Sequence, residues 1–247
     1  MKDMKITIIG RGNVGSHLYK AFTESGVDCS LMDSRSFNAE FGEMHSALYI
    51  ICVKDDVIGE VAARLKSKLG DKAKNAIVVH TAGTKPMSIL EEHFDNHGVF
   101  YPMQTFSKGK RVEWRSVPLF LEAASAGDMI QLRGMASSIS DNVSELDSEK
   151  RAEMHLAAVF VSNFSNRMYA IAESLLAECG IPFSVMYPLI EETASKATEI
   201  SPHDAQTGPA IRGDWRVTDM HSALLSSHPE WRELYEKISE DIRRSYS

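Results

Sequence analysis

The sequence predicts an α/β fold: a Rossmann-type doubly wound parallel sheet followed by an all-helical C-terminal domain. Three observations carry that expectation. Gly10, Gly12 and Gly15 follow the apolar run "ITII" and open an amphipathic segment. Short β-branched runs then alternate with helical patterns as far as residue 123, and such alternation belongs to parallel, doubly wound sheets. From residue 149 onward strand signals stop and helical periodicity takes over. The expected domains are therefore a dinucleotide-binding domain over 1–148 and a helical substrate and dimerisation domain over 149–247.

Each element follows in order. "KITIIG" reads as a strand ending at Gly10. "NVGSHLYKAFTESG" reads as a helix, with Val14, Leu18 and Phe22 at i, i+4 and i+8 and Gly26 as its stop. "VDCSLMD" alternates like a strand. This βαβ unit of roughly 30 residues is the context that gives a G-x-G-x-x-G motif meaning. Gly10 permits the tight turn, Gly12 lets backbone approach a pyrophosphate, and Gly15 lets helix and strand pack closely. Asn13 and Val14 open the helix whose N-terminus would face the anion. "ALYIICV" (47–53) is the next strand and "DVIGEVAARLKSKL" the next helix. "NAIVVHTAG" gives a strand and turn, "PMSILEEHF" a short helix, and "GVFYPMQTF" and "VPLFLEA" two more strands. Ligands of such sheets sit beyond the carboxyl ends of the strands. That rule selects Val53 and Lys54, His80 to Gly83, and Tyr101 to Gln104.

Composition narrows the partners. The 247 residues are 43% hydrophobic and 25% charged, a globular balance. A net charge of -7 argues against a non-specific nucleic-acid binder, which needs a basic footprint. No apolar run approaches the roughly 20 residues that span a bilayer, and the N-terminus reads as a strand without a signal-peptide pattern. Cys29, Cys52 and Cys179 are widely spaced and read as reduced core thiols, the usage expected of a cytoplasmic protein. His93 and His97 lack a nearby ligand cluster and read as a solvated helix end, so no metal site is expected. Asp55 and Asp56 read as the acidic start of a helix.

In the second domain, "AEMHLAAVFVSNFSNRMYAIAESLLAEC" predicts a helix of about thirty residues, apolar nearly all round and so buried in a core or at a subunit interface. At 100° per residue, His155, Ser162 and Asn166 share a stripe, with Asn163 at its edge. Polar groups on a buried helix need partners. Either His155 is a satisfied core histidine, or the stripe faces the cofactor cleft and His155 gives a proton to the atom beside a carbon receiving hydride. "TGPAIRGDW" is a loop in which Arg212 suits bidentate contact with a carboxylate or phosphate, or else pairs with Asp214.

Taken together, "IIGRGNVGSHL", "DSRS" (33–36), "VKDDVIGEVA", "VVHTAGT", "YPMQTFS", "HLAAVFVSNF" and "TGPAIRGD" resemble the two-domain NADP oxidoreductases. That group includes pyrroline-5-carboxylate reductase, ketopantoate reductase and the β-hydroxyacid dehydrogenases; the nearest likeness is to a bacterial branch with no assigned substrate. The resemblance implies NADP as cofactor, hydride transfer with a small carbonyl or imine metabolite, and a homodimer built on the C-terminal helices. In pyrroline-5-carboxylate reductases the segments similar to "HTAG" and "YPMQ" border nicotinamide and substrate. The candidate catalytic residues are then His155, His80 and Asn163, and the candidate substrate contacts Tyr101, Gln104, Ser162 and Arg212. One departure stands out. β-Hydroxyacid dehydrogenases carry a proton-transferring lysine four residues before the asparagine of the long helix, where this chain has Val159 before Asn163. The proton then comes from His155 or His80, or the substrate is an imine needing less help. The alternative is a non-catalytic NADP-binding sensor.

The second strand bears on the cofactor. Asp33 lies 18 residues beyond Gly15, where an NAD enzyme places the acid that bonds the ribose 2′-OH. Ser34 and Arg35 follow at once, and "SRS" resembles the NADP-dependent relatives. A hydroxyl and a guanidinium suit a 2′-phosphate, so the expected order is NADPH above NADH.

Overall fold

The computed structural model describes residues 5–35 and 46–246; Ser36 of the "SRS" turn lies outside them. Two compact units divide the chain, 1–163 and 164–247. The boundary thus falls fifteen residues beyond the 148 read from the sequence, because the helix that starts at Ser148 packs with the sheet.

In the first unit, strands β1 (Ile6–Ile9), β2 (Cys29–Met32), β3 (Leu48–Ile51), β4 (Ile77–His80), β5 (His97–Pro102), β6 (Leu119–Ala123) and β7 (Val143–Glu145) form one sheet, ordered β2-β1-β3-β4-β5-β6-β7. All pairings are parallel except β5 with β6. The sheet therefore departs from the all-parallel expectation at one pair, where the chain runs from β5 to β6 without a crossover α-helix. Helix α1 (Asn13–Glu24) follows β1 and α2 (Ile58–Leu69) follows β3. Helix α3 (Ala126–Ile139) and strand β7 gave no clear sequence signal. The apolar residues of α3 form no clean stripe, Ile130 being exposed, and β7 is three residues long.

Side-chain alternation on the strands splits the core in two. Ile6, Ile8, Leu48, Ile50, Ile77 and Val79 pack beneath α1 and α3. Ile9, Tyr49, Ile51 and Val78 pack beneath α2 and Phe94. Burial pushes the Cys29 and Cys52 thiols up to about 12, so both stay protonated. Cys179, by contrast, is exposed, and the reading of three core thiols fails there. His97 is likewise no solvated helix end: it is buried at the start of β5, its Nδ1 2.8 Å from the Phe94 carbonyl.

The length read as one buried helix is divided. Helix α4 (Ser148–Ala158) is followed by a π-helical turn, Val159–Phe164, and α5 (Ser165–Glu178) begins the second unit. A π turn holds more residues per turn than an α-helix, so the uniform 100° count that aligned Ser162 and Asn166 with His155 does not carry through it. Nor is this length buried within the chain. Phe160 is 61% exposed and Val161 77%, and among the described residues of α4 only Arg151 is buried. The second unit continues with α6 (Tyr187–Glu199), α7 (Trp215–Leu224) and α8 (Pro229–Ser245). Among its described residues Leu225 alone is a buried hydrophobic, so its helices present much apolar surface. No helix of the described residues is long and apolar enough to cross a membrane.

Candidate active site

The turn after β1 is built for close backbone approach. Gly10 has φ +123°, and a Cβ there would lie 2.1 Å from the Cys52 carbonyl oxygen. A Cβ on Gly15 would lie 2.0 Å from the Gly10 carbonyl oxygen, so helix and strand touch through glycine. Gly12 caps α1 without a side chain, and a Cβ there would meet no atom within 4 Å. The first turn of α1 carries no acid and no side-chain cap, leaving its N–H groups and dipole directed at the turn. Those features fit a pyrophosphate. Val53 packs 3.3 Å from the Gly10 Cβ position, and Lys54 is exposed beyond β3. The Asn13 side chain is engaged elsewhere: its Nδ2 donates to the Phe106 carbonyl at 2.9 Å, tying the loop after β5 to α1.

Beyond β2, Asp33 and Arg35 close a small turn. The Asp33 Oδ1 accepts the Arg35 backbone N–H at 2.8 Å, and the Arg35 Nε stands 4.0 Å away. The carboxylate is thereby turned into its own loop and partly offset by a cation. The Arg35 side chain is 93% exposed, and Ser34 belongs to the same turn.

At the other end of the strand edge a second group of residues converges. The register places His80 and Glu122 on either side of Val99, so all three share one sheet face, and Tyr101 lies two residues further along β5 on that face. Two strand residues rise about 6.6 Å, and one turn of helix from Arg151 to His155 rises about 6 Å. Helix α4 matches both rows: Arg151 Nη1 reaches Glu122 Oε2 at 2.5 Å, and His155 Nδ1 lies 3.0 Å from the Tyr101 hydroxyl. Arg151 Nη2 also donates to the Lys85 carbonyl at 2.6 Å, and Ser148 Oγ donates to Glu122 Oε2 at 2.7 Å. This ties the loop after β4 to α4. Gly83 in that loop lies against the His155 ring, where a Cβ would come 2.5 Å from Nδ1. Thr84 holds the same loop to Asp55 by a 2.6 Å hydrogen bond.

Burial pushes the Tyr101 phenol up, opposed by the Arg151 charge; its hydroxyl stands 3.0 Å from His155 Nδ1 and can also donate to the Met103 Sδ at 3.8 Å. Where the phenol donates to Nδ1, a neutral ring carries its hydrogen on Nε2, which has no partner among the described residues. His80 is different. It is fully buried, its Nδ1 accepts the Ala82 N–H at 3.1 Å, and its Nε2 faces the Pro86 carbonyl at 3.3 Å. Burial first, and the Arg151 charge second, lower its pKa to about 4. Both ring nitrogens are therefore committed to holding the loop.

Gln104 is exposed, its Oε1 accepting the Thr105 N–H at 2.8 Å. Ser162 and Asn163 stand in the π turn, half-buried and exposed respectively. Arg212 is exposed in the second unit; Asp214 caps α7 by accepting the Val217 N–H at 3.4 Å. Among the described residues no cluster of His, Cys, Asp or Glu is placed to hold a metal ion. Sequence reasoning missed Glu122 and Arg151. The available signals were an acid inside the apolar strand "LFLEA" and an arginine one helical turn before His155.

Comparison with known proteins places the chain. The family model described as "Domain of unknown function (DUF2520)" matches residues 117–242. A Bacteroides fragilis protein provisionally named an NADP oxidoreductase is 39% identical, with a TM-score of 0.88 over 98% of this chain and 99% of that one. At 14% identity an imine reductase from Myxococcus stipitatus, solved with NADP+, superposes with a TM-score of 0.65 over 98% of this chain and 93% of its own. At 15% identity the Plasmodium falciparum pyrroline carboxylate reductase, solved with NADP, gives 0.58 over 100% of both chains. These two share the fold. No curated protein sequence is similar enough to the chain to match it. The family match covers half the chain: the protein belongs to the DUF2520 family.

Proposed function

We propose that the chain is an NADP-dependent oxidoreductase acting on a small carbonyl or imine substrate. The single observation that carries this reading is the Tyr101–His155 pair, poised at the carboxyl edge of the sheet that bears the glycine turn. A nucleotide-sensing protein has no use for a hydrogen-bonded phenol and imidazole whose outer nitrogen is left to donate. The NADP relatives named above support the cofactor, as does the turned-in Asp33 beside Arg35.

The cofactor would be held by the Gly10–Gly15 turn at its pyrophosphate and by Ser34 and Arg35 at its 2′-phosphate. Bound there, it supplies or takes the hydride. His155 gives its Nε2 proton to the substrate atom beside the reacting carbon. Nδ1 takes the Tyr101 proton in return, and the Arg151 charge offsets the phenolate left behind. Solvent then restores Tyr101. An iminium substrate, already protonated, would need only orientation from the pair. His80 and the Glu122–Arg151 pair hold the loop that carries Gly83 and so fix the position of the His155 ring. Gln104, Ser162 and Asn163 are proposed as outer contacts to substrate.

The test is NADPH oxidation with a panel of small ketones, keto acids and cyclic imines. The wild type is expected to turn over at least one of them. His155→Ala should lower that turnover by roughly 100-fold or more with NADPH affinity unchanged, and Tyr101→Phe should lower it less. Equal turnover in wild type and His155→Ala would remove the proton role from His155.

The protein is further proposed to work as a homodimer joined by its C-terminal helices. Phe160, Val161, Leu189 and Leu224 are among the exposed apolar side chains a second copy would cover.

A further inference from the structure

The geometry points to Arg64 of α2 as a second cation for the 2′-phosphate of NADP. This inference rests on the NADP reading above and goes beyond the Ser34–Arg35 turn. Arg64 projects from the second turn of α2, beside the buried face formed by Ile58, Val61, Ala62 and Leu65. Its Nη2 reaches across to the Arg35 carbonyl oxygen at 3.5 Å, and its Nη1 stands 3.7 Å from Glu60, one turn back on the same helix. A guanidinium from one element is thus led to the turn that ends another. The Arg64 side chain is 39% exposed against 93% for Arg35.

That difference matters for recognition of a dianion. An arginine free in solvent loses side-chain entropy when it binds and is screened by salt. One already held by its neighbours has less to lose and delivers its donors in a fixed fork. Two guanidiniums from different elements at one turn also offset the repulsion a phosphate would meet from Asp33 and from a chain of net charge -7. In this arrangement Arg35 supplies the mobile cation and Arg64 the pre-positioned one, held by Glu60 and by the turn itself.

The experiment is calorimetric titration of the full chain and its Arg64→Ala, Arg64→Lys and Lys68→Ala variants. The probes are NADP+, NAD+, 2′,5′-ADP and 5′-AMP at low and moderate salt. Arg64→Ala should weaken NADP+ and 2′,5′-ADP by about tenfold while NAD+ and 5′-AMP stay within about twofold, as expected for loss of one charge-assisted contact to the phosphate. Arg64→Lys should recover part of the loss, and Lys68→Ala, one turn further along α2, should change neither. Equal weakening of all four probes would mean that Arg64 serves the adenosine rather than the phosphate, and would overturn the inference. So would an Arg64→Ala variant that keeps the wild-type preference. A wild type that binds NAD+ as tightly as NADP+ would overturn the cofactor reading and this inference with it.

Discussion

The site turns on single atoms. Gly83 is glycine because the His155 ring occupies the place of its Cβ. Gly83→Ala should push the ring off the Tyr101 hydroxyl and cost about 1–3 kcal/mol of stability by overpacking. Turnover should fall while NADPH affinity holds; thermal unfolding and cofactor titration of the same variant check both halves. His80 gives a pH signature. Its pKa is lowered from 6.5 to about 4 in the fold, so between those values the unfolded chain binds the extra proton. Its contribution is complete above pH 6.5 and is lost as pH falls toward 4, on the order of 3 kcal/mol in all. Urea unfolding across that range should show the loss in wild type and a shallower dependence in His80→Asn, which has no titrating ring. At this scale the sequence was legible in part. Tyr101, His155 and His80 were selectable from strand ends and from a polar residue on an apolar helix. Their hydrogen bonds were not, because those depend on which strand neighbours which and on the pitch of α4.

Among the elements, the βαβ unit was the most readable, since the glycine pattern, strand and helix constrain one another locally. Gly10→Ala tests that constraint: a left-handed φ and a Cβ 2.1 Å from the Cys52 carbonyl should together cost at least about 3 kcal/mol, measured by denaturant unfolding. Helix α3 and strand β7 escaped because neither carries its own periodicity; their places are set by the antiparallel turn of β6. That turn also brings Glu122 opposite Arg151. Glu122→Gln leaves the Arg151 charge buried without its counter-ion, and a loss of about 3–5 kcal/mol is expected. A loss below about 1 kcal/mol would mean the pair is not what holds α4 to the sheet. The π turn was invisible to a fixed period of 3.6 residues, which is why Ser162 and Asn166 were grouped with His155.

At the scale of the whole molecule, the apolar length after residue 150 was recognised, but its burial within one chain was not found. Hydrophobic pattern says that a surface must be covered and is silent on whether the same chain or a second copy covers it. Light scattering at micromolar concentration should give the mass of two chains. Val161→Glu, at a side chain 77% exposed in the single chain, should shift the mass toward one. The central claim is that one nucleotide runs from the β2 turn across the Gly10–Gly15 turn to the Tyr101–His155 pair. A crystal structure of the protein with NADP+ tests it most directly. The 2′-phosphate is expected at Arg35, the pyrophosphate over Gly12, and the nicotinamide ring beside Tyr101 with His155 Nε2 facing the space above it. A nicotinamide ring bound away from His155, or directed into solvent, would contradict it.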